Sequence, residues 1–151
     1  MSYTNSLAGI GLGSVLSVNT SVTTTPTWTP VGELNKLAFT GRQAGTADVT
    51  NFQSLAREFK STLISSGNLD ITGNRIGGDA GQVAMEAAFV GLATKSFKLQ
   101  LVISGTQTTT GDSFVFLAIV EKLNYSVEVD KAVSLDASLK ISGILTETAG
   151  S

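Results

Sequence analysis

The last third of the chain alternates between apolar and polar residues with a period of two, in two consecutive stretches. The apolar positions of residues 123–130 are Leu123, Tyr125, Val127 and Val129, and those of residues 133–142 are Val133, Leu135, Ala137, Leu139 and Ile141. Successive side chains of a strand point to opposite faces, so this pattern predicts antiparallel strands with one packed and one solvated face. We expect the second strand to end at Gly143.

Residues 114–120, just ahead of these stretches, are apolar at every position. Such a run is typical of a strand that is covered on both faces or that meets a partner subunit. Phe114 and Phe116 are therefore candidate interface residues. Residues 96–104 alternate again, with Phe97 and Leu99 among the inward positions, and the threonine-rich residues 105–111 predict a polar hairpin loop.

A helical pattern begins at Asp79. This residue lies three positions before Gln82, the spacing of an N-cap and its reciprocal partner. An apolar face follows at helical spacing, formed by Met85, Ala88, Phe89 and Leu92. We expect this helix to cover the packed face of the sheet. The predicted fold class is mainly β, an antiparallel β-sandwich or partly open barrel with one flanking α-helix.

The first 66 residues are less regular. Residues 1–27 form an extended N-terminal arm or a first strand, and the prolines around Trp28 predict a turn before a strand at 33–40. Residues 41–66 are predicted to be a long interaction loop with one helical turn. This loop supplies further candidate interface residues: Asp48, Val49, Thr50, Phe52 and Phe59.

Composition restricts the possible functions. The chain has 151 residues, the length of one domain covering 1–151, and it contains no Cys and no His. Disulfides, thiolate metal sites and histidine bases are therefore excluded. Charged residues make up only 15%, against about a quarter in typical soluble domains. This favours either burial against other subunits or a neutral surface rich in Ser and Thr.

Sites for chemistry are not expected. The net charge is −2 and the basic residues are scattered, so a nucleic-acid surface is not predicted. Asp130 and Asp136 both fall on the solvated side of the strand pattern, where carboxylates are usually solvated charges. No catalytic residue, metal site or cofactor is predicted, and the chain is not expected to be an enzyme. No signal peptide or membrane span is expected either.

Several short motifs resemble, in order, the major tail tube proteins of long-tailed bacteriophages. They are 27–34 (TWTPVGEL), 48–52 (DVTNF) with Ser54 and Glu58, 67–71 (GNLDI), 79–82 (DAGQ) and 138–143 (SLKISG). Together they cover nearly the whole chain. The resemblance implies a β-sandwich with one flanking helix that assembles as hexameric rings. These rings would stack into a tube whose continuous inner β-barrel passes the genome.

The resemblance also implies partners and a location. The partners are further copies of the chain, the tape-measure and tail-terminator proteins, and baseplate or tip proteins. DNA passes through without specific binding, and no membrane is involved. The protein would be made in the cytoplasm of the host bacterium and would end in the virion tail.

The polar side of residues 123–143 is the candidate lumen surface. It carries mainly Ser, Asn and carboxylates, with Lys140 as the exception, and such a surface offers phosphate little to bind. The candidate lumen-facing residues are Asn124, Ser126, Glu128, Asp136 and Ser138.

Other classes of protein remain open at this point. One is the tube protein of a type VI secretion-like contractile apparatus, which the tail tube family resembles. A second is a small adhesive or carbohydrate-binding β-sandwich, although such modules usually have a row of exposed aromatic residues. A third is a pilin-like or capsid-decorating protein.

Overall fold

The structure is a computed structural model that describes residues 13–151. Within these residues it contains nine strands and one helix. In chain order they are β1 (Val15–Asn19), β2 (Trp28–Pro30), β3 (Leu34–Thr40), β4 (Gln43–Asp48), β5 (Phe59–Ser65), β6 (Asn68–Asn74), α1 (Ala80–Val90), β7 (Thr94–Gln100), β8 (Ser113–Ser126) and β9 (Ser134–Thr148). The predicted fold class, mainly β with one flanking helix, is confirmed.

Seven strands form one antiparallel sheet in the order β2-β1-β7-β8-β9-β6-β3. This sheet curls over itself. The ring of Phe39 on the terminal strand β3 lies 5.7 Å from that of Phe114 and 5.9 Å from that of Phe116, both on β8. The end strands β2 and β3 do not pair with each other, so the curled sheet forms an open sandwich and not a closed barrel.

The core lies inside the curl. Leu135, Ala137, Leu139 and Ile141 are all buried, with at most 8% exposure, so the predicted inward face of residues 133–142 is confirmed. Phe97 and Phe116 stack across the neighbouring strands β7 and β8. Helix α1 covers one side of this core with Met85 and Ala88, which are 0% and 2% exposed.

Two strand boundaries differ from those predicted. Residues 114–120 and the first half of 123–130 belong to a single strand, β8, which ends at Ser126. The predicted inward positions Val127 and Val129 are wrong, since they are 77% and 89% exposed. The chain leaves the sheet there for a turn in which Asp130 has a positive φ of 68°. At the other end, β9 does not stop at Gly143 but continues to Thr148, because β8 still offers it a partner strand.

Only one of the two predicted hydrogen bonds of the helix cap forms. Asp79 Oδ2 accepts a hydrogen bond from the backbone N–H of Gln82 at 3.0 Å. The reciprocal bond is absent, because the Gln82 side chain bonds to Ile76 and Gly32 instead. The predicted apolar face also extends too far along the chain, since Leu92 lies beyond the end of the helix and is 84% exposed.

The first 66 residues contain more strand than expected. Trp28 lies not in a turn but in β2, which pairs with β1. The predicted helical turn within 41–66 is wrong, because this segment pairs with itself as the hairpin β4–β5. Residues 1–12 of the predicted N-terminal arm lie outside the described residues.

Candidate subunit interfaces

The hairpin β4–β5 forms an arm with little contact to the rest of the chain. We call residues 43–65 the hairpin arm. Every residue of β5 is exposed, including Leu63 at 88% and Ile64 at 73%. An isolated two-stranded hairpin with no packed face is at best marginally stable in water. The arm therefore exposes apolar surface that another molecule can bind.

The tip of the arm, residues 48–59, is ordered by its own hydrogen bonds. Asp48 Oδ1 accepts from the N–H and the hydroxyl of Thr50, at 3.0 and 2.6 Å. Thr50 Oγ1 in turn accepts from the N–H of Glu58 at 2.9 Å, which joins the two sides of the tip. The hydroxyl and then the N–H of Thr50 lower the pKa of Asp48 below its usual 3.8. The tip thus has a defined shape although it is exposed to solvent.

Two apolar side chains project from this tip. Phe52 and Leu55 are 111% and 105% exposed, so they touch almost nothing in their own chain. Phe59, at the start of β5, is 58% exposed. The structure therefore brings together five of the predicted interface residues in one tip: Asp48, Val49, Thr50, Phe52 and Phe59.

The two remaining interface candidates lie elsewhere. Phe116 is 2% exposed and packs in the core, while Phe114 is half-buried beside Phe39. Within residues 114–120, the side chains that reach solvent on the opposite face are Leu117 and Ile119, at 49% and 39% exposure, and Ile119 pairs with Lys140 there. Strand alternation separates these two sets, and the uniformly apolar sequence of 114–120 gave no sign of which set would be outside.

Most of the lumen candidates share one surface, which we call the polar face. Asn124 pairs with Asp136 across β8 and β9, and the Ser138 hydroxyl donates to Asp70 Oδ1 at 3.0 Å. Ser126 lies at the end of the same face, opposite Ser134. The fifth candidate, Glu128, lies in the turn after β8 and forms an ion pair with Lys131.

The polar face also carries lysines that the sequence pattern of 123–143 alone did not include. Lys36 on β3 and Lys122 on β8 join Lys140 there through the strand register. Lys122 Nζ lies 3.2 Å from Asp136 Oδ2, with both side chains about half exposed at 52% and 54%. The face is therefore mixed in charge and not uniformly acidic.

An apolar cleft lies between β1 and β3, where the curled sheet stays open. Its volume is about 820 Å³. The walls include Leu16, Val31, Leu37, Phe39, Leu101 and Phe114, and the charged residues Glu33 and Lys36 also line it. The cleft has no polar cluster suited to catalysis among these residues.

Residues 13–151 contain no group of three or more acidic residues close enough to hold a metal ion. Their one helix, with 11 residues, is too short to cross a bilayer.

Solved structures of assembled tubes share this architecture. The SPP1 tail tube superposes with a TM-score of 0.71 at 18% identity, covering 93% of this chain and 78% of that one. The tail of an empty GTA particle, solved with C6 symmetry, superposes equally well at 18% identity and covers 94% of this chain and 100% of that one. The chain has the fold of a tail tube protein.

The tail tube fold also occurs in contractile machines. A sheath/tube terminator structure of an extracellular contractile injection system has a TM-score of 0.67 at 11% identity, covering 94% of this chain and 98% of that one. No protein family model and no curated protein sequence matches the chain. The likeness is therefore one of fold.

Proposed function

We propose that this protein is the major tube subunit of a bacteriophage tail, which assembles as six-membered rings that stack into a conduit for the genome. The tail tube fold over 93% of the chain carries this proposal. The resemblance of the sequence motifs to major tail tube proteins supports it independently. The role is structural and not enzymatic, and the protein would reside in the virion tail.

Ring closure explains the open sheet. The sheet ends in β2 and β3, which pair only with β1 and β6 and so each leave one strand edge open within residues 13–151. Exposed strand edges invite uncontrolled pairing, and a closed ring of subunits removes them.

Stacking of rings explains the hairpin arm. The exposed side chains of the arm, including Phe52, Leu55 and Leu63, find no cover in their own chain. We assign the five interface candidates of the tip to contacts between subunits. Phe114 would contribute only through the cleft that it lines, and Phe116 only through the core.

The polar face is the proposed lumen wall. Its lysines are offset by carboxylates, as in the contact of Lys122 with Asp136. Phosphate binding grows with the number of uncompensated cations. A face with compensated charges lets DNA slide past without holding it. The tape-measure, terminator and tip proteins are the partners expected at the inside and the two ends of such a tube.

A tube subunit of a contractile injection system is the second candidate. The structures of such systems superpose with TM-scores of 0.64 to 0.69, at 6% to 11% identity. The two candidates differ in whether a sheath binds the outside of the tube. An adhesive β-sandwich is less well supported, because it does not account for a fold shared with tubes.

Electron microscopy of the purified protein over a range of concentrations tests the proposal. We expect six-fold rings and tubes above a threshold concentration. The double variant Phe52→Ser with Leu55→Ser should raise that threshold strongly. Val127→Ser with Val129→Ser is a matched control, since these residues are also exposed but lie in the β8–β9 turn. Monomers at every concentration would contradict the proposal, and co-sedimentation with a sheath protein would favour the contractile alternative.

A further inference from the structure

We propose that the tip of the hairpin arm binds in the apolar cleft between β1 and β3 of another copy of this chain. This inference rests on the proposed function, because it names the surface that receives the arm in the tube. It concerns two surfaces that are open to solvent within the part of the chain that the structure describes.

The tip is built to present apolar side chains. Phe52 and Leu55 point into solvent, while the hydrogen bonds of Asp48, Thr50 and Glu58 hold the backbone that carries them. A buried Phe side chain removes about 150–250 Å² from water. A tip that is already ordered loses little conformational entropy on binding, which favours a specific contact.

The cleft has a volume and an apolar lining suited to binding Phe52 and Leu55. Its volume of about 820 Å³ lies within the range of roughly 300–1,000 Å³ that is typical of sites that enclose small ligands. Its apolar walls include Leu37 on β3, Phe114 on β8 and Leu101 just after β7. Such an apolar recess on a rigid scaffold is where interface anchors usually bind.

The charges beside the two surfaces are complementary. Lys36, on the terminal strand β3 where the polar face borders the cleft, is among the residues that line the cleft, and Glu58 lies at the base of the tip. Within residues 13–151 neither takes part in an ion pair. Arg57 at the tip is not counted, because it already pairs with Asp48 at 3.3 Å. An inserted tip would place Glu58 near Lys36.

The proposed contact can be repeated from one subunit to the next in a growing assembly. The tip and the cleft are different surfaces of one chain, so the contact is head-to-tail and leaves a free tip and a free cleft at the two ends. Such heterologous contacts propagate along an axis. The tip is exposed in the single chain, so its own cleft does not hold it.

Engineered cysteines test the contact directly, because the natural chain has none. Tubes are assembled from the double variant Leu55→Cys with Leu101→Cys and oxidised mildly. We expect a ladder of covalent multimers on a denaturing gel. The matched variant Leu55→Cys with Val129→Cys should remain monomeric on that gel, because Val129 is exposed in the turn after β8, at the opposite end of that strand from Phe114, which lines the cleft.

Charge reversal gives a second measurement that does not rely on cross-linking. Lys36→Glu and Glu58→Lys should each raise the threshold concentration for tubes severalfold. The double variant should return it towards the natural value. If the two losses simply add, the charges do not face each other and the proposed pairing is overturned.

The outcomes separate this inference from the proposed function. If tubes form and the cleft pair does not cross-link, the tip binds elsewhere and only this inference fails. If the natural protein forms no tubes, the proposed function fails and the inference fails with it. A cross-link within one subunit between Leu7→Cys and Leu101→Cys would identify residues 1–12 as the occupant of the cleft, which also overturns the inference.

Discussion

The side-chain amide of Gln82 donates to the carbonyl oxygen of Gly32 at 3.0 Å, joining residues that lie 50 positions apart. The same nitrogen donates to Asn74 O at 2.8 Å, and Gln82 Oε1 accepts from the N–H of Ile76 at 3.0 Å. Gln82 is 2% exposed. One buried side chain thus connects the start of the helix to the end of β6 and to the segment between β2 and β3.

Gln82→Leu should therefore lower the free energy of unfolding. The substitution leaves buried backbone groups without partners, and each such group costs roughly 1–3 kcal/mol. Chemical denaturation of the monomer measures the change. Gln53→Leu is the control, since Gln53 is exposed in the arm and should have little effect. An equal stability of the two variants would show that water replaces the Gln82 bonds.

Leu139→Ala tests the core. Leu139 is 0% exposed on the packed face of β9, and truncation of a buried Leu costs about 2–5 kcal/mol. Thermal or urea unfolding should reveal this loss. Leu63→Ala makes the same chemical change at a residue that is 88% exposed, and it should leave the stability of the monomer nearly unchanged.

The hydrogen bonds of Thr50 should make the tip of the arm sensitive to acid. They lower the pKa of Asp48 in the folded tip below its value of 3.8 in the unfolded chain. A lowered pKa stabilises the folded tip above pH 3.8, and this contribution disappears as the pH falls through the lower, folded-state pKa. The tip should therefore lose order in acid before the core does.

The variant Thr50→Ala should raise the pKa of Asp48 towards 3.8, because the hydrogen bond from the Thr50 hydroxyl contributes most to lowering it. A carbon-detected NMR titration of the carboxyl group measures it. Thr50→Ser keeps a hydroxyl and should retain most of the lowered pKa. An unchanged pKa in Thr50→Ala would mean that the hydroxyl does not bond to Asp48 in solution.

Positive charge on the polar face tests the lumen assignment. Replacing Ser126, Asp136 and Ser138 with Lys should still permit tubes, since the packed face of the sheet is untouched. The added charges repeat around every ring and should attract phosphate, with an effect that weakens as salt rises. We expect tails of normal length from which DNA is ejected slowly, with partial rescue at higher ionic strength.

The same three positions replaced with Asn form the matched control for this experiment. They remove the contact of Asp136 with Lys122 but add no positive charge. Ejection kinetics from purified particles are the measurement. Ejection at the natural rate from particles that carry the Lys variant would place the polar face on the outside of the tube.

The sequence alone determined the elements whose pattern is local. The alternation in 133–142 correctly predicted the buried face of β9, because a strand places successive side chains on opposite sides wherever it lies. The spacing of Asp79 and Gln82 predicted the start of the helix, since an N-cap bonds within its own first turn. The length and irregular pattern of 41–66 predicted an interaction loop, but the structure of this segment is the hairpin β4–β5, and its interaction role stays a prediction.

Only the tertiary structure decided what depends on distant strands. Val127 and Val129 continue the alternating pattern, yet they are exposed because the sheet offers nothing beyond Ser126 to cover them. Gln82 has the capping spacing, but Gly32 and Asn74 come close enough to compete for its side chain. The cleft exists only because the sheet curls and brings β3 beside strands remote in sequence, and the mixed charge of the polar face arises because the pairing of β8 with β9 places Lys122 beside Asp136. The periodicity of a sequence indicates the face of a strand or helix on which a side chain lies. The residues that this side chain contacts are determined only by the tertiary structure.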